Sequence, residues 1–391
     1  MVNKLFTYWP AFTQEEADCV SKVLLSNRVN YWTGDEGRNF EREFADFCET
    51  EYAVALVNGT VALELALESL GVGSGDEVIV TSRTFLASVS AIVMVGATPV
   101  FADVDPVSQN ITLETVKKVL TERTRAIIAV HLAGWPCDMD DLMALAEENS
   151  LYVVEDCAQA HGALYKGRPV GGLGHVAAWS FCQDKIMTTG GEGGMLTTSD
   201  PAIWERVWSF KDHGKAWDAV YNQEHPLGFR WLHESFGTNA RMTEMQAAIG
   251  RVQLRKLADW SEKRRRNALI LKECFQDIEA FRMTKVPQSV RHAYYKYYVF
   301  VKPELLRRDW DRDRVIDAVT KAGVPCFSGA CSEVYMEKAF DGTGFRPNER
   351  LPVAKALGES SLMFLVHPTL SPGDMQAMCS VVCEVMQQAQ A

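Results

Sequence analysis

One lysine, Lys185, lies in a sequence context where an amine could do covalent chemistry. It follows a short apolar, β-compatible run at 176–181 and precedes the glycine-rich stretch 190–194, after which another such run begins. Lys185 is therefore predicted in a connection between strands. A lysine amine that loses its proton there is a nucleophile for a carbonyl carbon and can form a Schiff base. Taken alone, the residue fits a solvated loop lysine better, because most lysines are solvated.

Two acidic residues, Glu155 and Asp156, end an apolar run that begins at Leu151. The pattern predicts a buried strand that carries carboxylates at its C-terminal end, the edge at which open α/β sheets bind ligands. A carboxylate there can keep a pyridine nitrogen protonated, and a pyridinium ring withdraws electrons from an adjacent carbanion. An aspartate after a strand can equally be a helix N-cap. The segment alone favours neither interpretation.

A possible phosphate site surrounds Gly59 and Thr60. A strand-like run at 53–57 leads through Asn58 into an apolar-periodic helical stretch at 61–70. Glycine lets the backbone approach an anion, and the first amides of the helix point at it. The same pattern also fits an ordinary capped helix start.

Strand-like and helical stretches alternate through the first two thirds of the chain. The strand-like runs lie near 53–57, 77–81, 98–102, 126–131, 151–155, 176–181 and 194–198, and the helical stretches include 61–70, 112–120 and 138–149. This alternation predicts an α/β fold with a mostly parallel sheet flanked by helices on both faces.

A second, smaller unit is predicted after a long, highly charged helical region near 240–275. The run 294–301 is rich in tyrosine and fits a half-buried strand better than a stacking platform for nucleic acid. Helices near 312–322 and 372–388 would complete this unit. We therefore predict a large α/β domain over residues 1–255 and a small C-terminal α+β domain over residues 256–391.

Composition narrows the function classes. The chain has 391 residues, 47% of them hydrophobic, and a net charge of −11, which argues against general binding to nucleic acid or anionic membranes. Neither a signal peptide nor a membrane-spanning run is recognised, so we expect a cytoplasmic protein. The ten cysteines form no C-x-x-C pair, and we expect them to be reduced and no metal to be bound.

Taken together, the ordered segments resemble the DegT/DnrJ/EryC1/StrS family of sugar aminotransferases. These are fold-type I, aspartate aminotransferase-like enzymes that depend on pyridoxal 5'-phosphate (PLP). The resemblance spans roughly residues 5 to 260. The segments that carry it are 58–60, 76–80, 84–85, 131–136, 153–162, 180–181, 185, 190–195 and 237–250.

The resemblance implies a role for each matching residue. Lys185 would form the Schiff base with PLP and shuttle a proton, Asp156 would pair with the pyridine nitrogen, and Gln159 would bind the ring hydroxyl. Phe85 would stack on the ring, although a core aromatic is the alternative. The implied ligands of the cofactor phosphate are Gly59, Thr60, Ser180 and, from the neighbouring subunit, Asn239. A homodimer with shared active sites would follow.

The resemblance also implies the substrates. L-glutamate is the expected amino donor, and a nucleotide-linked 4-keto or 3-keto 6-deoxyhexose is the expected acceptor, in polysaccharide or amino-sugar biosynthesis. Many relatives carry a different block where this chain has residues 323–333, so this part of the substrate pocket is expected to be unusual. Weaker candidates for substrate contacts are Trp32, His213, Lys215 and Arg230.

Three alternatives stay open. A PLP-dependent sugar dehydratase of the same family is one, but one such branch has histidine at the Schiff-base position, which Lys185 occupies here. A second is a non-catalytic sensor that keeps the PLP fold, although no helix-turn-helix pattern is recognised. The third is a nucleotide-dependent oxidoreductase, for which the glycines at 190–194 lack the G-x-G-x-x-G spacing.

Overall fold

The computed structural model describes residues 6–390 and contains three β-sheets. The strands are β1 (Tyr52–Leu56), β2 (Glu77–Thr81), β3 (Thr98–Ala102), β4 (Thr124–Val130), β5 (Tyr152–Asp156), β6 (Leu164–Tyr165), β7 (Arg168–Pro169), β8 (Val176–Ser180), β9 (Gly194–Thr198), β10 (Phe281–Arg282), β11 (Val290–Arg291), β12 (Tyr297–Val301), β13 (Cys326–Phe327) and β14 (Ser361–Phe364). The largest sheet has seven strands in the order β1-β9-β8-β5-β4-β2-β3. Only β9 runs against its neighbours in this sheet, so the predicted mostly parallel sheet is confirmed.

Helices cover both faces of this sheet. They are α1 (Gln14–Leu25), α2 (Glu36–Cys48), α3 (Gly59–Ser69), α4 (Ala87–Met94), α5 (Leu113–Lys117), α6 (Met139–Asn149), α7 (Pro201–Phe210), α8 (Trp217–Tyr221), α9 (Glu244–Phe275), α10 (Arg312–Lys321), α11 (Pro352–Ser360) and α12 (Pro372–Ala389). The seven strands predicted for this sheet agree with the structure to within two residues at each end, whereas the strand predicted at 294–301 begins three residues later, at Tyr297. The helix expected at 112–120 is shorter, because the chain turns at Thr121, whose N–H donates to Thr124 Oγ1 at 3.0 Å.

Alternation along the strands divides the core into two apolar layers. In β2, Val78 and Val80 pack with residues of α3 and α4, whereas Ile79 points to the opposite layer, which α2, α6 and α9 cover. Successive strand residues point to opposite faces, so a strand buried on both faces is apolar throughout. The continuous apolar runs of the sequence therefore became central strands.

The C-terminal part forms a four-stranded antiparallel sheet in the order β10-β12-β14-β13. Its core packs against the C-terminal half of α9 and against α10 and α12. The 32-residue helix α9 passes without a break through the boundary that we propose at 255/256. Strand β11, from the C-terminal part, pairs with β6 of the large unit. Both elements tie the two parts together at several points.

No helix within residues 6–390 is both long enough and apolar enough to span a bilayer.

Candidate active site

A cavity of about 780 Å³ opens at the C-terminal edge of the seven-stranded sheet, against the smaller sheet. This is the edge at which ligands bind in open α/β sheets. Seven of the residues singled out in the sequence line this cavity, although they are spread over more than 120 positions of the chain. They are Gly59, Thr60, Phe85, Asp156, Gln159, Ser180 and Lys185.

Lys185 lies in the connection between β8 and β9, as predicted, with its side chain only 17% exposed. Its Nζ is 3.4 Å from Asp184 Oδ1 and 5.4 Å from the centroid of the Tyr295 ring. The Lys185 carbonyl accepts a hydrogen bond from Trp9 Nε1 at 2.7 Å, which fixes the backbone under the amine. Lys185 is therefore a positioned, largely buried amine and not a solvated loop lysine.

Tyr295 donates its hydroxyl proton to the carboxylate of Asp184. Burial raises the pKa of Tyr295 well above its usual value, with the nearby Asp184 charge acting in the same direction. The hydroxyl thus stays protonated, and the pair holds the ring of Tyr295 beside the lysine amine.

Asp156 ends β5 with its carboxylate in the cavity and only 6% of its surface exposed. Ser88 Oγ donates to Oδ2 at 2.8 Å, and the backbone N–H of Ala158 donates to Oδ1 at 3.1 Å. No helix begins at this position, so the N-cap interpretation is wrong. These two donors fix the carboxylate at one orientation at the floor of the cavity.

Glu155, the adjacent acid, points to the opposite face of the sheet. Its carboxylate accepts hydrogen bonds from the backbone N–H groups of Gly171 and Leu173, at 2.9 and 2.8 Å. It also contacts His131 Nε2 at 2.9 Å. His131 Nδ1 accepts from the N–H of Cys137, so Nε2 carries the ring proton and donates it to Glu155. Glu155 thus stabilises a buried loop, and only Asp156 is available to a ligand.

The candidate phosphate site is the first turn of α3. Asn58 is its N-cap, and Asn58 Oδ1 accepts from the N–H of Val61 at 2.9 Å. The amides of Gly59 and Thr60 face the cavity side, beside Ser180 at the end of β8. A helix N-terminus presents free N–H groups and the positive end of the helix dipole to an anion. The capped helix start and the anion cradle are therefore the same structure.

Gly59→Ala is expected to distort this cradle. A Cβ at Gly59 would lie 2.7 Å from Ser180 Cβ, closer than any real contact, so α3 or β8 must shift. Overpacking of this kind costs about 1–3 kcal/mol. We expect a lower thermal midpoint and weaker binding of inorganic phosphate, measured by calorimetry. The control is Gly73→Ala, where the added Cβ meets its nearest atom at 3.6 Å. Equal phosphate binding by both variants would contradict the cradle.

Two further residues present groups to a flat ligand. Phe85 lines the cavity and is 70% exposed, so it is not a core aromatic. Gln159 Oε1 accepts from the N–H of Ala133 at 2.7 Å. This bond leaves the Nε2 side of the amide as a donor for a ligand. The cavity can therefore hold a planar heteroaromatic ring that carries a phosphate, with a carboxylate, an amide donor and an amine around it.

Five predicted site residues lie outside this cavity, in a cluster around the segment 211–241. They are Trp32, His213, Lys215, Arg230 and Asn239. Lys215 Nζ is 4.0 Å from the centroid of the Trp32 ring and pairs with Asp212 at 3.1 Å. The bridge partner of Asp212 is Asn239, which is exposed. His213 and Arg230 are exposed on the same segment. Within one protomer, the structure does not bring these five residues to Lys185.

Sequence reasoning missed several residues that line the cavity or hold it. Tyr295, Lys296 and Tyr298 line it, yet the run 294–301 was interpreted only as a half-buried strand. Trp9 and Ser88 were not singled out at all. Lys296 and Tyr298 are two positions apart and share one face of the extended chain, so side-chain alternation was a signal for these two residues.

The comparisons identify the class of protein. The model of the DegT/DnrJ/EryC1/StrS aminotransferase family matches residues 10–383. The chain belongs to this family, and it is an aminotransferase.

Individual relatives agree over nearly their whole length. The chain is 34% identical over 380 residues to the GDP-perosamine synthase of Escherichia coli O157:H7, covering 96% of this chain and 97% of that one. The crystal structure of an aminotransferase from Psychrobacter cryohalolentis is 57% identical, with a TM-score of 0.97 and coverage of 98% and 99%. The structure of Streptomyces venezuelae DesV in complex with a ketimine intermediate is 33% identical, with a TM-score of 0.84 and coverage of 96% and 95%.

Proposed function

We propose that this enzyme uses PLP to transfer an amino group from L-glutamate to a nucleotide-linked 4-keto or 3-keto 6-deoxyhexose. The observation that carries the proposal is the convergence of the Lys185 amine, the Asp156 carboxylate and the first turn of α3 in one cavity. A GDP-perosamine synthase among the relatives supports a nucleotide-linked sugar as acceptor. A cavity of about 780 Å³ lies in the upper part of the range for small-molecule sites, which is about 300–1,000 Å³.

Each residue of the site has a task in this proposal. When bound, PLP supplies an aldehyde for the amine and a ring that withdraws electrons from the substrate carbon. Asp156 holds a proton at the ring nitrogen, and Gln159 Nε2 donates to the ring hydroxyl. Phe85 packs on the ring face. The phosphate ligands in this chain are the amides of Gly59 and Thr60 and the hydroxyl of Ser180.

Lys185 acts twice in the proposed reaction. Its Nζ would hold the cofactor covalently, and as a free amine it would move a proton from the donor's α-carbon. Asp184 and the ring of Tyr295 keep Nζ within reach, and Trp9 holds the backbone below it. Pre-positioning of this kind lowers the entropic cost of proton transfer.

The acceptor sugar is proposed to lie against the segment 323–333. Phe327, Gly329, Ala330 and Cys331 of this segment line the cavity. Phe327 is 46% exposed, so it offers an apolar surface to a ligand. An apolar wall suits the methyl group of a 6-deoxy sugar, because the contact buries carbon without desolvating a hydroxyl.

We further propose a homodimer with shared active sites. The segment that carries Asn239 also exposes several large apolar side chains: Leu227, Phe229, Trp231 and Phe236. Exposed apolar clusters of this kind mark interaction surfaces. In a dimer, Asn239 would reach the phosphate site of the partner subunit, and Trp32, His213, Lys215 and Arg230 would approach the partner's substrate.

Asn239→Ala tests the shared site. A lost hydrogen bond to a charged phosphate costs about 1.5–3 kcal/mol, so we expect PLP affinity to fall about ten- to hundred-fold. Affinity is measured by absorbance titration of the apoprotein, with sedimentation run in parallel. Asn348→Ala, an exposed site in the C-terminal part, is the control. A monomeric species that binds PLP with full affinity would contradict the proposal.

The function itself is tested by an acceptor screen. The PLP-loaded protein is incubated with L-glutamate and a panel of nucleotide-linked keto sugars, and the masses of the products are measured by mass spectrometry. The proposal predicts an aminated sugar and 2-oxoglutarate. A deoxygenated sugar without nitrogen would favour the dehydratase, and nicotinamide-dependent reduction would favour the oxidoreductase. A protein that stays colourless with PLP and turns over none of the sugars would favour the non-catalytic sensor.

A further inference from the structure

A second lysine, Lys296, lines the same cavity as Lys185. It precedes β12, next to Tyr295 in the chain, and its Nζ lies 4.7 Å from the centroid of the Tyr295 ring. Lys185 Nζ lies 5.4 Å from the same centroid. These two distances together place the amines no more than about 10 Å apart. The ring of Tyr295 is thus a shared surface for both.

Lys296 differs from Lys185 in its partners. Lys185 pairs with Asp184, whose carboxylate is also bound by the Tyr295 hydroxyl. Within residues 6–390, no carboxylate oxygen lies within the 4.0 Å ion-pair distance of Lys296 Nζ. A largely buried ammonium that lacks a counter-ion is costly, because its desolvation is not offset. Such a group is expected where a ligand supplies the negative charge.

The surroundings of Lys296 add positive charge. Arg264 of α9 is buried, and its guanidinium donates to the backbone oxygen of Tyr295 at 3.2 Å. Two further guanidinium nitrogens of Arg264 have no hydrogen-bond partner within the described chain, and the guanidinium lies over the Trp9 ring at 5.1 Å. Burial lowers the pKa of His367, which faces Lys296 from the segment after β14, to about 3, so this ring is neutral. Among residues 6–390, Asp184 is the one acidic group whose charge raises the pKa of Lys296.

We propose that Lys296 binds a carboxylate group of the amino donor. The inference rests on the proposed function and names one half of its substrate site. In the proposed reaction the donor's α-carbon would have to lie within reach of Lys185 Nζ, so its carboxylates would lie close to Lys185. Lys296 is the unpaired cation that lines the cavity there. The candidate phosphate cradle at Gly59 and Ser180 belongs to other elements, β8 and α3.

The ammonium of Lys296 gives the proposal a pH signature. Burial lowers its pKa to about 8, with Arg264 and Lys185 acting in the same direction and Asp184 against them. Below this pH the group is charged and can bind a carboxylate. As the pH rises through about 8 the free group loses its proton, so donor affinity is expected to fall.

The test uses the PLP-loaded protein and its Lys296→Met and Lys296→Arg variants. Glutarate, an unreactive dicarboxylate, is titrated by calorimetry between pH 7 and pH 9, and the donor and acceptor half-reactions are timed separately. We expect Lys296→Met to weaken glutarate and donor binding about ten- to hundred-fold and to leave the acceptor half-reaction unchanged. Lys296→Arg should retain binding and extend it to higher pH. The matched control is Lys321→Met, an exposed lysine of α10.

Comparing donors locates the carboxylate. A loss with both L-glutamate and L-alanine assigns Lys296 to the α-carboxylate, and a loss with L-glutamate alone assigns it to the side-chain carboxylate. Equal glutarate binding by wild type and Lys296→Met, or no binding by wild type, overturns the inference. So does a variant that slows only the acceptor half-reaction. If wild type binds glutarate through Lys296 but converts no amino donor, the proposed function fails and the carboxylate site remains.

Discussion

Replacing Lys185 with alanine is expected to abolish amino transfer. The substitution removes the amine that lies 3.4 Å from Asp184 Oδ1 and beside the Tyr295 ring. Loss of the proton-transfer group alone costs roughly 10²–10⁴-fold in rate, and loss of the covalent attachment adds to this. The rate is measured as 2-oxoglutarate formed from L-glutamate, and attachment of PLP is measured by its absorbance and by mass after borohydride reduction.

Two matched variants separate chemistry from charge and folding. Lys185→Arg keeps the positive charge beside Asp184, but it cannot form a Schiff base, so it should be as inactive as Lys185→Ala. Lys355→Ala, at an exposed site on α11, should behave like wild type. Retention of full activity by Lys185→Ala would show that another group carries the chemistry.

Asp156→Asn is expected to leave the fold intact and to slow transfer about 10²–10⁴-fold. Asparagine can still accept from the N–H of Ala158 and can donate to Ser88 Oγ, so the local hydrogen bonds survive. It cannot hold a proton at a pyridine nitrogen, and loss of one partner of a buried charge pair costs about 3–5 kcal/mol. The turnover rate and the thermal midpoint are measured on the same sample.

Glu155→Gln provides the contrast, because the neighbouring acid faces the other side of β5. The Glu155 carboxylate accepts hydrogen bonds from His131 Nε2 and from backbone N–H groups of the loop at 171–174. Its replacement is expected to lower the thermal midpoint and to leave the rate per folded enzyme close to wild type. If both variants lowered stability alone, Asp156 would be a structural residue and its assigned role would be wrong.

Much of the fold could be predicted because its causes are local. Strands buried on both faces are continuously apolar, and each such run became a strand of the central sheet. The edge of the sheet that carries Asp156 followed from chain direction alone. The 255/256 boundary was placed from the charge pattern of the sequence, yet helix α9 continues through it. Charged residues mark the exposed positions of a helix, and a helix can have such positions without ending there.

The rest of the cavity depends on contacts between distant parts of the chain. Trp9 reaches the Lys185 carbonyl across 176 positions, and Tyr295 reaches Asp184 across 111. No local pattern marks such pairs. Lys296 was overlooked for the same reason. The local pattern of an aromatic strand predicts that its lysine is on the surface, and its place in the cavity depends on elements that are distant in the sequence. The role predicted for Asn239 depends on a second subunit and stays a prediction.

The most direct test follows the amino nitrogen. L-glutamate labelled with heavy nitrogen at its amino group is supplied to the PLP-loaded enzyme with a nucleotide-linked keto 6-deoxyhexose, and the sugar product is analysed by mass spectrometry. We expect the label to appear in an aminated sugar with wild type and to be absent with Lys185→Ala. Sugar product without the label, or labelled product from Lys185→Ala, would contradict it.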